Sequence, residues 1–380
     1  MDNYDVYIAK CDDYDESAVE KAIDEAISAI NGLDFVKPGM RIIIKPNLVS
    51  FKRPDAAATT HPALLKALCK KILALGASVR VGDSPGGPHS LAVLNRVYSA
   101  TGMTELKSLG VELNRNMEQR MAHFEFGKVL QDFQYTAYID DADAIIDFCK
   151  LKSHGMLGMS AAVKNLFGVI PGLVKPEMHY QFPDERVFSD MLIDLNEYFK
   201  PRLTIVDAVI GMEGNGPTMG EPRHIGAVIA SKSTYHADVV CAEMIGMDMK
   251  GLPTLQAAFE RGLAPESCAG LHLNCDLKDF IVDDFAAPPV RGLRFMRKGT
   301  LIHKIGNAAL AHKPKLQKKL CVGCAECARI CPAHAIEMQN KLPHIDREKC
   351  IRCFCCQEFC PKAAMQVHRP IIARVLNRID

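Results

Sequence analysis

The chain has 380 residues, which is long for one domain and suits two. Hydrophobic residues make up 48% and charged residues 24%, with a net charge of +1, which is an ordinary composition for a globular protein. No apolar run is long enough to span a membrane, and the N-terminus lacks the apolar core of a signal peptide, so we expect a cytoplasmic protein.

Strand-like and helix-like segments alternate over residues 1–290, which predicts an α/β domain with a mostly parallel sheet flanked by helices. Short apolar runs predict strands at 7–9, 41–44, 78–81, 144–148, 203–206 and 225–230. Apolar residues at helical spacing predict helices at 16–30, 63–75, 185–199 and 235–245. We predict a linker at 291–317 and a small C-terminal α+β domain at 318–380.

Polar residues follow the ends of four predicted strands, on loops that we expect to converge at one edge of the sheet. In open α/β sheets this edge binds ligands. The candidates for proton transfer or other catalysis are Lys45, Asp83, Lys152, His154 and Lys164. The candidates for substrate binding are Asn47, Ser84, Lys150, Asn165, Asp207, Glu213 and Asn215.

The lysines of this set predict an anionic ligand, carboxylate or phosphate. Between Lys150 and Asn165 an apolar, glycine-rich stretch carries basic residues and no acid, whereas solvated charge runs usually alternate in sign. This favours an anion site over a structural lysine network. The glycine-rich turn at 82–87 fits neither the dinucleotide motif nor the P-loop. For His179 we expect a surface or capping role.

The segment 291–319 has many basic residues and no acidic one. It is expected to be a linker that lies on the acidic first domain. A docking patch for an acidic redox partner, or contact with a membrane surface, are the alternatives. Nucleic acid is not expected as a partner, because no aromatic platform or known motif accompanies the charges.

Two cysteine runs near the C-terminus fit C-x2-C-x2-C-x3-C-P. Three thiolates spaced two residues apart can surround three corners of a cubane cluster, and the fourth ligand must come from elsewhere. A zinc site would leave the third thiol of each run unexplained. The eight predicted metal ligands are Cys321, Cys324, Cys327, Cys331, Cys350, Cys353, Cys356 and Cys360.

Residues 318–367 resemble the two-cluster ferredoxin domain of bacteria, in which the last cysteine of each run binds the other cluster. The resemblance implies two [4Fe-4S] clusters. It assigns Cys331 to the cluster of Cys350, Cys353 and Cys356, and Cys360 to the cluster of Cys321, Cys324 and Cys327. Cys355 departs from the pattern as an extra thiol, either a packed neighbour or a substitute ligand.

The first domain resembles the domain of unknown function 362 family. The resemblance rests on four segments, at residues 45–47, 82–87, 162–172 and 211–217. It implies a chain from an organism living with little oxygen, because this family is common in anaerobes and is often fused to a two-cluster ferredoxin domain. It implies no particular reaction.

These observations predict an iron–sulfur oxidoreductase in which the C-terminal domain passes single electrons to or from an anionic small molecule. They also predict a redox partner protein. A flavin would suit two-electron chemistry, but the sequence has no flavin motif. The alternatives are a non-catalytic carrier or partner-binding subunit, and an isomerase or ligase whose clusters serve as structure or sensor.

Overall fold

The computed structural model describes residues 4–286 and 312–368. Most of the predicted linker lies outside the described residues, as do the last twelve residues of the chain. The end of the predicted linker is described, and residues 313–316 there form a strand of the C-terminal domain.

The strands are β1 (Val6–Lys10), β2 (Arg41–Pro46), β3 (Ser78–Val81), β4 (Glu112–Leu113), β5 (Gln119–His123), β6 (Asp132–Thr136), β7 (Ala144–His154), β8 (Gly158–Ser160), β9 (Leu203–Glu213), β10 (Glu221–Ser231), β11 (Lys313–Leu316), β12 (Ile336–Gln339), β13 (Leu342–Ile345) and β14 (Met365–His368). The helices are α1 (Glu16–Ala29), α2 (Pro62–Ala74), α3 (Leu91–Ala100), α4 (Ala162–Asn165), α5 (Val174–Gln181), α6 (Glu185–Phe199), α7 (Thr234–Met244), α8 (Pro253–Glu260), α9 (Glu326–Arg329) and α10 (Cys355–Glu358).

The first domain is built on one sheet with the strand order β1-β10-β9-β7-β2-β3-β4, and β8 pairs with β7. The pairs among β9, β7, β2, β3 and β4 are parallel, while β10 pairs antiparallel with both β9 and β1. The prediction of a mostly parallel α/β sheet is therefore confirmed.

Helices cover both faces of this sheet. Ile42 and Ile44 pack in the core beneath α1, α2 and α3, whereas Ile43 packs in the core beneath α6 on the opposite face. Successive side chains of a strand point to opposite faces, so a run of isoleucines serves both cores. This explains why the central strands read as continuous apolar runs.

Strands β7 and β9 are longer than predicted. Lys150, Lys152 and His154 lie within β7, not on a loop after it, and Lys45 and Asp207 lie within β2 and β9. The strand continues because β8 folds back and pairs with the end of β7. The polar residues after residue 148 were predicted to follow the end of this strand, whereas they belong to the strand itself.

The C-terminal domain has two antiparallel strand pairs, β11 with β14 and β12 with β13, and the short helices α9 and α10. Its two cysteine runs share one backbone course. Left-handed residues recur with the same spacing in both, as Gly323 and Arg352, Ala325 and Phe354, and His334 and Ala363. Each run therefore makes the same tight turns around its thiols.

The second run packs against the sheet edge of the α/β domain. The buried Gln357 donates from Nε2 to the backbone carbonyls of Asn215 (2.8 Å) and Gly216 (3.2 Å), and Thr218 Oγ1 donates to the carbonyl of Glu358 (2.9 Å). These bonds join α10 to the loop between β9 and β10.

We expect Gln357→Ala to weaken the attachment of the two domains. It leaves two buried carbonyls without a donor, which costs about 1–3 kcal/mol. Limited proteolysis and thermal unfolding of the holoprotein should show earlier loss of the C-terminal domain. Gln339→Ala is the matched control, because Gln339 is exposed on β12. Equal behaviour of the two variants would contradict this account of the domain contact.

Candidate functional site

A cavity of about 280 Å³ lies between the two domains. One side is formed by the ends of β2, β3 and β7 and by the segment from α4 to α5. The other side is formed by the second cysteine run, through Cys355, Glu358, Phe359 and Cys360. The complete cavity therefore needs both domains in contact.

Lys45 is a buried ammonium group with a full set of partners. Its Nζ lies 2.8 Å from Oδ1 of Asp83 and donates to Oδ1 of Asn165 (3.0 Å) and to a backbone carbonyl. Asp83 also accepts the backbone N–H of Ser84 (2.9 Å) and of Leu48 (2.6 Å). Both members of the pair are satisfied, as a buried ion pair requires.

Asn165 connects this pair to the neighbouring strands. Its Oδ1 also accepts from Asn47 (3.0 Å), and its Nδ2 donates to the carbonyl of Lys45 (3.1 Å) and to Oδ1 of Asp147 (2.6 Å). Burial raises the pKa of Asp147 to about 8, although the bond from Asn165 acts in the opposite direction. These contacts fix the position of the Asn165 side chain.

Two further lysines of the cavity have neutral partners only. Lys152 donates to Oδ1 of Asn47 (2.8 Å) and to a backbone carbonyl (2.9 Å). Lys175 donates to two backbone carbonyls, at 2.7 and 2.6 Å. Burial, and after it the charge of Lys164, lowers the pKa of Lys152 to about 7. Burial also lowers the pKa of Lys175 to about 7, although Asp83 acts in the opposite direction. Among the described residues, neither lysine forms an ion pair with a carboxylate.

Lys164 has neither a hydrogen bond nor an ion pair within residues 4–286 and 312–368. Its Nζ lies 5.5 Å from the centre of the Phe167 ring, a cation–π contact. Burial lowers its pKa, while Glu358 and Cys355 act in the opposite direction. An ammonium group without an acceptor that faces a cavity is suited to bind an anion.

Glu358 brings a carboxylate from the cysteine run to the cavity. Nδ1 of His154 accepts two backbone N–H groups (3.2 and 3.1 Å), so the proton of the neutral ring is on Nε2, which lies 3.0 Å from Oε1 of Glu358. Burial and the charge of Lys164 lower the pKa of His154 to about 4. Burial alone would raise the pKa of Glu358, but His154 and Lys164 hold it at about 2.

His179 corrects our expectation of a surface or capping role. It is buried, lines the cavity and stacks on Phe188 with ring centres 4.3 Å apart. Burial lowers its pKa to about 3. The side chain points inward because α5 lies against α6 through this ring pair.

The structure brings seven of the predicted site residues together around the cavity, namely Lys45, Asn47, Asp83, Ser84, Lys152, Lys164 and Asn165. His154 lies behind the wall and touches the cavity through Glu358.

Four predicted residues lie outside the cavity lining. Lys150 donates to Oδ2 of Asp207 (2.9 Å) and to the hydroxyl of Tyr14 (2.8 Å) in a separate buried group. Glu213 accepts a backbone N–H from residue 286, and the backbone carbonyl of Asn215 accepts from the C-terminal domain. In this structure these residues hold segments together.

Sequence reasoning missed Lys175, His179, Asp147 and Glu358. Lys175 and His179 lie on the short helix α5, which contains Pro176 and has no apolar periodicity that would have marked it. A sequence signal existed for Glu358. The two cysteine runs have an arginine and a glutamate at the same place, Arg329 and Glu358, and Arg329 is exposed. This difference in charge between two otherwise similar runs could have marked Glu358.

The cysteine residues fit two iron–sulfur clusters with crossed ligation. Cys321, Cys324, Cys327 and Cys360 line one small cavity. Burial raises the pKa of Cys356, and the nearby Cys353, Cys350, Cys331 and Cys327 raise it further. The thiols of the second predicted group therefore lie together, with Cys327 of the first group close by.

Backbone N–H groups point at the last sulfur of each run. Ala335 donates to Sγ of Cys331 (3.3 Å), and Ala364 donates to Sγ of Cys360 (3.2 Å). Such bonds stabilise thiolate ligands. Cys355 is buried beside Cys353 and lines the large cavity.

Comparisons with known proteins confirm the resemblances predicted for both domains. Residues 42–243 match the family described as Domain of unknown function (DUF362), and residues 313–361 match the 4Fe-4S dicluster domain. Thylakoid-associated protein sll1697 of Synechocystis sp. is 29% identical over 293 residues, which are 75% of this chain and 88% of that protein.

Two solved structures are similar in part. The lactate racemase apoprotein from Thermoanaerobacterium thermosaccharolyticum aligns with a TM-score of 0.41 and 14% identity, over 63% of this chain and 57% of that chain. A structural genomics target from Thermotoga maritima aligns with a TM-score of 0.38 and 11% identity, over 60% and 58%. The chain thus spans somewhat more than half the length of each.

The thiol groups and the dicluster match define an iron–sulfur protein with an added α/β domain. The chain belongs to the DUF362 family. Among the residues described, no helix combines the length and apolar character needed to cross a membrane.

We expect Lys45→Met and Lys164→Met to differ in stability. The first leaves the buried Asp83 carboxylate without its ammonium partner and should cost about 3–5 kcal/mol. The second removes an ammonium group that has no hydrogen bond or ion pair among the described residues, so unfolding should be unchanged or shifted upward. Chemical unfolding of the holoproteins measures both, and equal losses would contradict this division of the lysines.

Anion binding should weaken as the pH rises from 6 to 8. The pKa values of Lys152 and Lys175 are lowered to about 7, so both lose their protons in this interval. Sulfate is a suitable probe because it stays doubly charged throughout, and calorimetry gives its Kd at each pH. In Lys152→Met the dependence should be shallower. A Kd independent of pH in the unaltered protein would refute the assignment.

Proposed function

We propose that this protein is an iron–sulfur electron-transfer protein that exchanges electrons with an anionic small molecule bound between its two domains. The observation that carries the proposal is the composition of the cavity walls. One wall holds lysines of the α/β domain, and the opposite wall includes Cys360, a predicted cluster ligand. A ligand in this cavity would touch both.

The charge of the cavity favours an anion. Its lining has five lysines and two carboxylates: Lys45, Lys52, Lys152, Lys164 and Lys175, with Asp83 and Glu358. In a partly enclosed site this excess attracts a carboxylate or phosphate more strongly than it would in water.

The residues divide into three roles. Lys164, Lys152 and Lys175 bind the anion, and their lowered pKa values also allow them to give up a proton to the ligand near neutral pH. Asn165 and Asn47 hold the lysines in place. His154 and Glu358 orient the wall that belongs to the cysteine run.

Two groups of thiolates, one around Cys327 and one around Cys356, would hold the clusters. When bound, four-iron clusters supply or accept single electrons. Cys324 is exposed and does not line the large cavity, so we place exchange with a redox partner there. The salt dependence of the exchange rate would test an electrostatic contact with that partner.

A cytoplasmic location is part of the proposal. The name of the Synechocystis relative adds contact with a membrane surface as an alternative for this chain. Cell fractionation separates the two, since a cytoplasmic protein remains in the supernatant at low salt.

Reoxidation of the clusters tests the proposed function. The protein is purified without oxygen, reduced, and mixed with the small-molecule fraction of a cell extract while cluster absorbance is followed. We expect the small-molecule fraction to reoxidise the unaltered protein, and the rate to fall about tenfold or more in Lys164→Met, which removes an ion contact with the ligand. The exposed-lysine variant Lys278→Met should behave normally, and iron content should be the same in all three.

Two results would contradict the proposal. If Lys164→Met is reoxidised at the normal rate, the electron acceptor does not bind in this cavity. If no fraction reoxidises the unaltered protein while a carrier protein does, the chain is a carrier or partner-binding subunit.

A further inference from the structure

We infer that the ligand of this cavity is an aryl acid, a small molecule with one anionic head and an aromatic body. The inference rests on the proposed function, because it names the class of anion that the site takes. It is carried by the deeply buried lysines of the cavity and by the mainly apolar side chains at its exposed end.

The inner end of the cavity is charged. Lys45 and Lys152 are almost completely buried there, next to Asn165. Lys164, with no acceptor among the described residues, also faces this space. An anionic head placed at this end would contact several ammonium groups that water reaches poorly, where charged hydrogen bonds are strongest.

The outer part of the cavity is mainly apolar. It is lined by residues from both domains, among them Val93, Met219, Phe51 and Phe359. It also holds one lysine, Lys52, whose Nζ lies 3.3 Å from Sδ of Met219. Phe51 remains 49% exposed, so this part is the mouth. A ligand that consisted of the anionic head alone would leave these side chains facing water.

The rings at the mouth are held in position. The guanidinium of Arg96 lies 4.3 Å from the centre of the Phe51 ring. Phe359 packs against Gly86, where an added Cβ would come within 2.6 Å of the ring. A fixed pair of rings favours a flat aromatic body, which packs against them at little entropic cost.

The size of the cavity agrees with a single ring. Its volume of about 280 Å³ lies at the lower end of the range for ligand sites. The head can be a carboxylate or a phosphate, because lysines bind both as point charges. The common chemistry is therefore an anion attached to an aromatic ring.

Calorimetry with the oxidised holoprotein tests the inference without any turnover. The probes are phenylacetate with acetate, and phenylphosphate with inorganic phosphate. We expect at least one aryl probe to bind about tenfold or more tightly than its partner without the ring, since burying a ring removes apolar surface from water. The pair that shows this gain identifies the head.

Two variants separate the parts of the site. Phe51→Ala should reduce the gain from the ring and leave the affinity for acetate and phosphate unchanged, and Phe51 is exposed enough for the variant to fold. Lys164→Met should weaken binding of all four probes. Phe126→Ala is the control, because Phe126 is exposed and does not line the cavity.

The outcomes distinguish the inference from the proposed function. If the small anions bind as tightly as the aryl acids, and Lys164→Met weakens both, the aryl class is wrong and the anion site stands. If no probe binds, both are overturned. A gain from the ring that persists in Phe51→Ala would also overturn the inference, since the mouth would not be what holds the ring.

Discussion

The ion pair of Lys45 and Asp83 is the contact on which the site depends. It joins the ends of β2 and β3, and through Asn165 it fixes the end of α4, the helix that carries Lys164. A buried pair is stable only when every remaining donor and acceptor is satisfied, and here backbone N–H groups and the Asn165 amide satisfy them. The pair therefore imposes the local backbone course as well as holding two charges.

The sequence predicted the sheet and the convergence of polar residues, because both follow from local patterns. Apolar runs mark the central strands, and parallel strands bring their carboxyl ends to one edge. It could not separate Lys150, which pairs with Asp207 below the edge, from Lys152, which lines the cavity. Both side chains lie on β7, and only the partners contributed by other segments decide which one faces the ligand.

The two cysteine runs show that a shared motif does not determine which contacts a run makes. Both runs have the same spacing and the same left-handed positions, so they would be assigned the same role. The residues between the third and fourth cysteines differ, however. Ala328 and Arg329 occupy this place in the first run, whereas Gln357 and Glu358 contact the α/β domain in the second. The motif places the thiols, and the residues between its cysteines decide which run contacts the α/β domain.

The lysines of the cavity also lower the stability of the folded protein. Lys152, Lys164 and Lys175 lose hydration without gaining a carboxylate, which a core selected for stability alone would avoid. Glu358 offsets part of this charge, and it belongs to the other domain. Contact between the domains thus does two things, since it brings the Glu358 carboxylate to the lysines and brings Cys360, a predicted cluster ligand, to the cavity wall. A ligand anion would complete the neutralisation that Glu358 begins, so ligand binding and domain contact should reinforce each other.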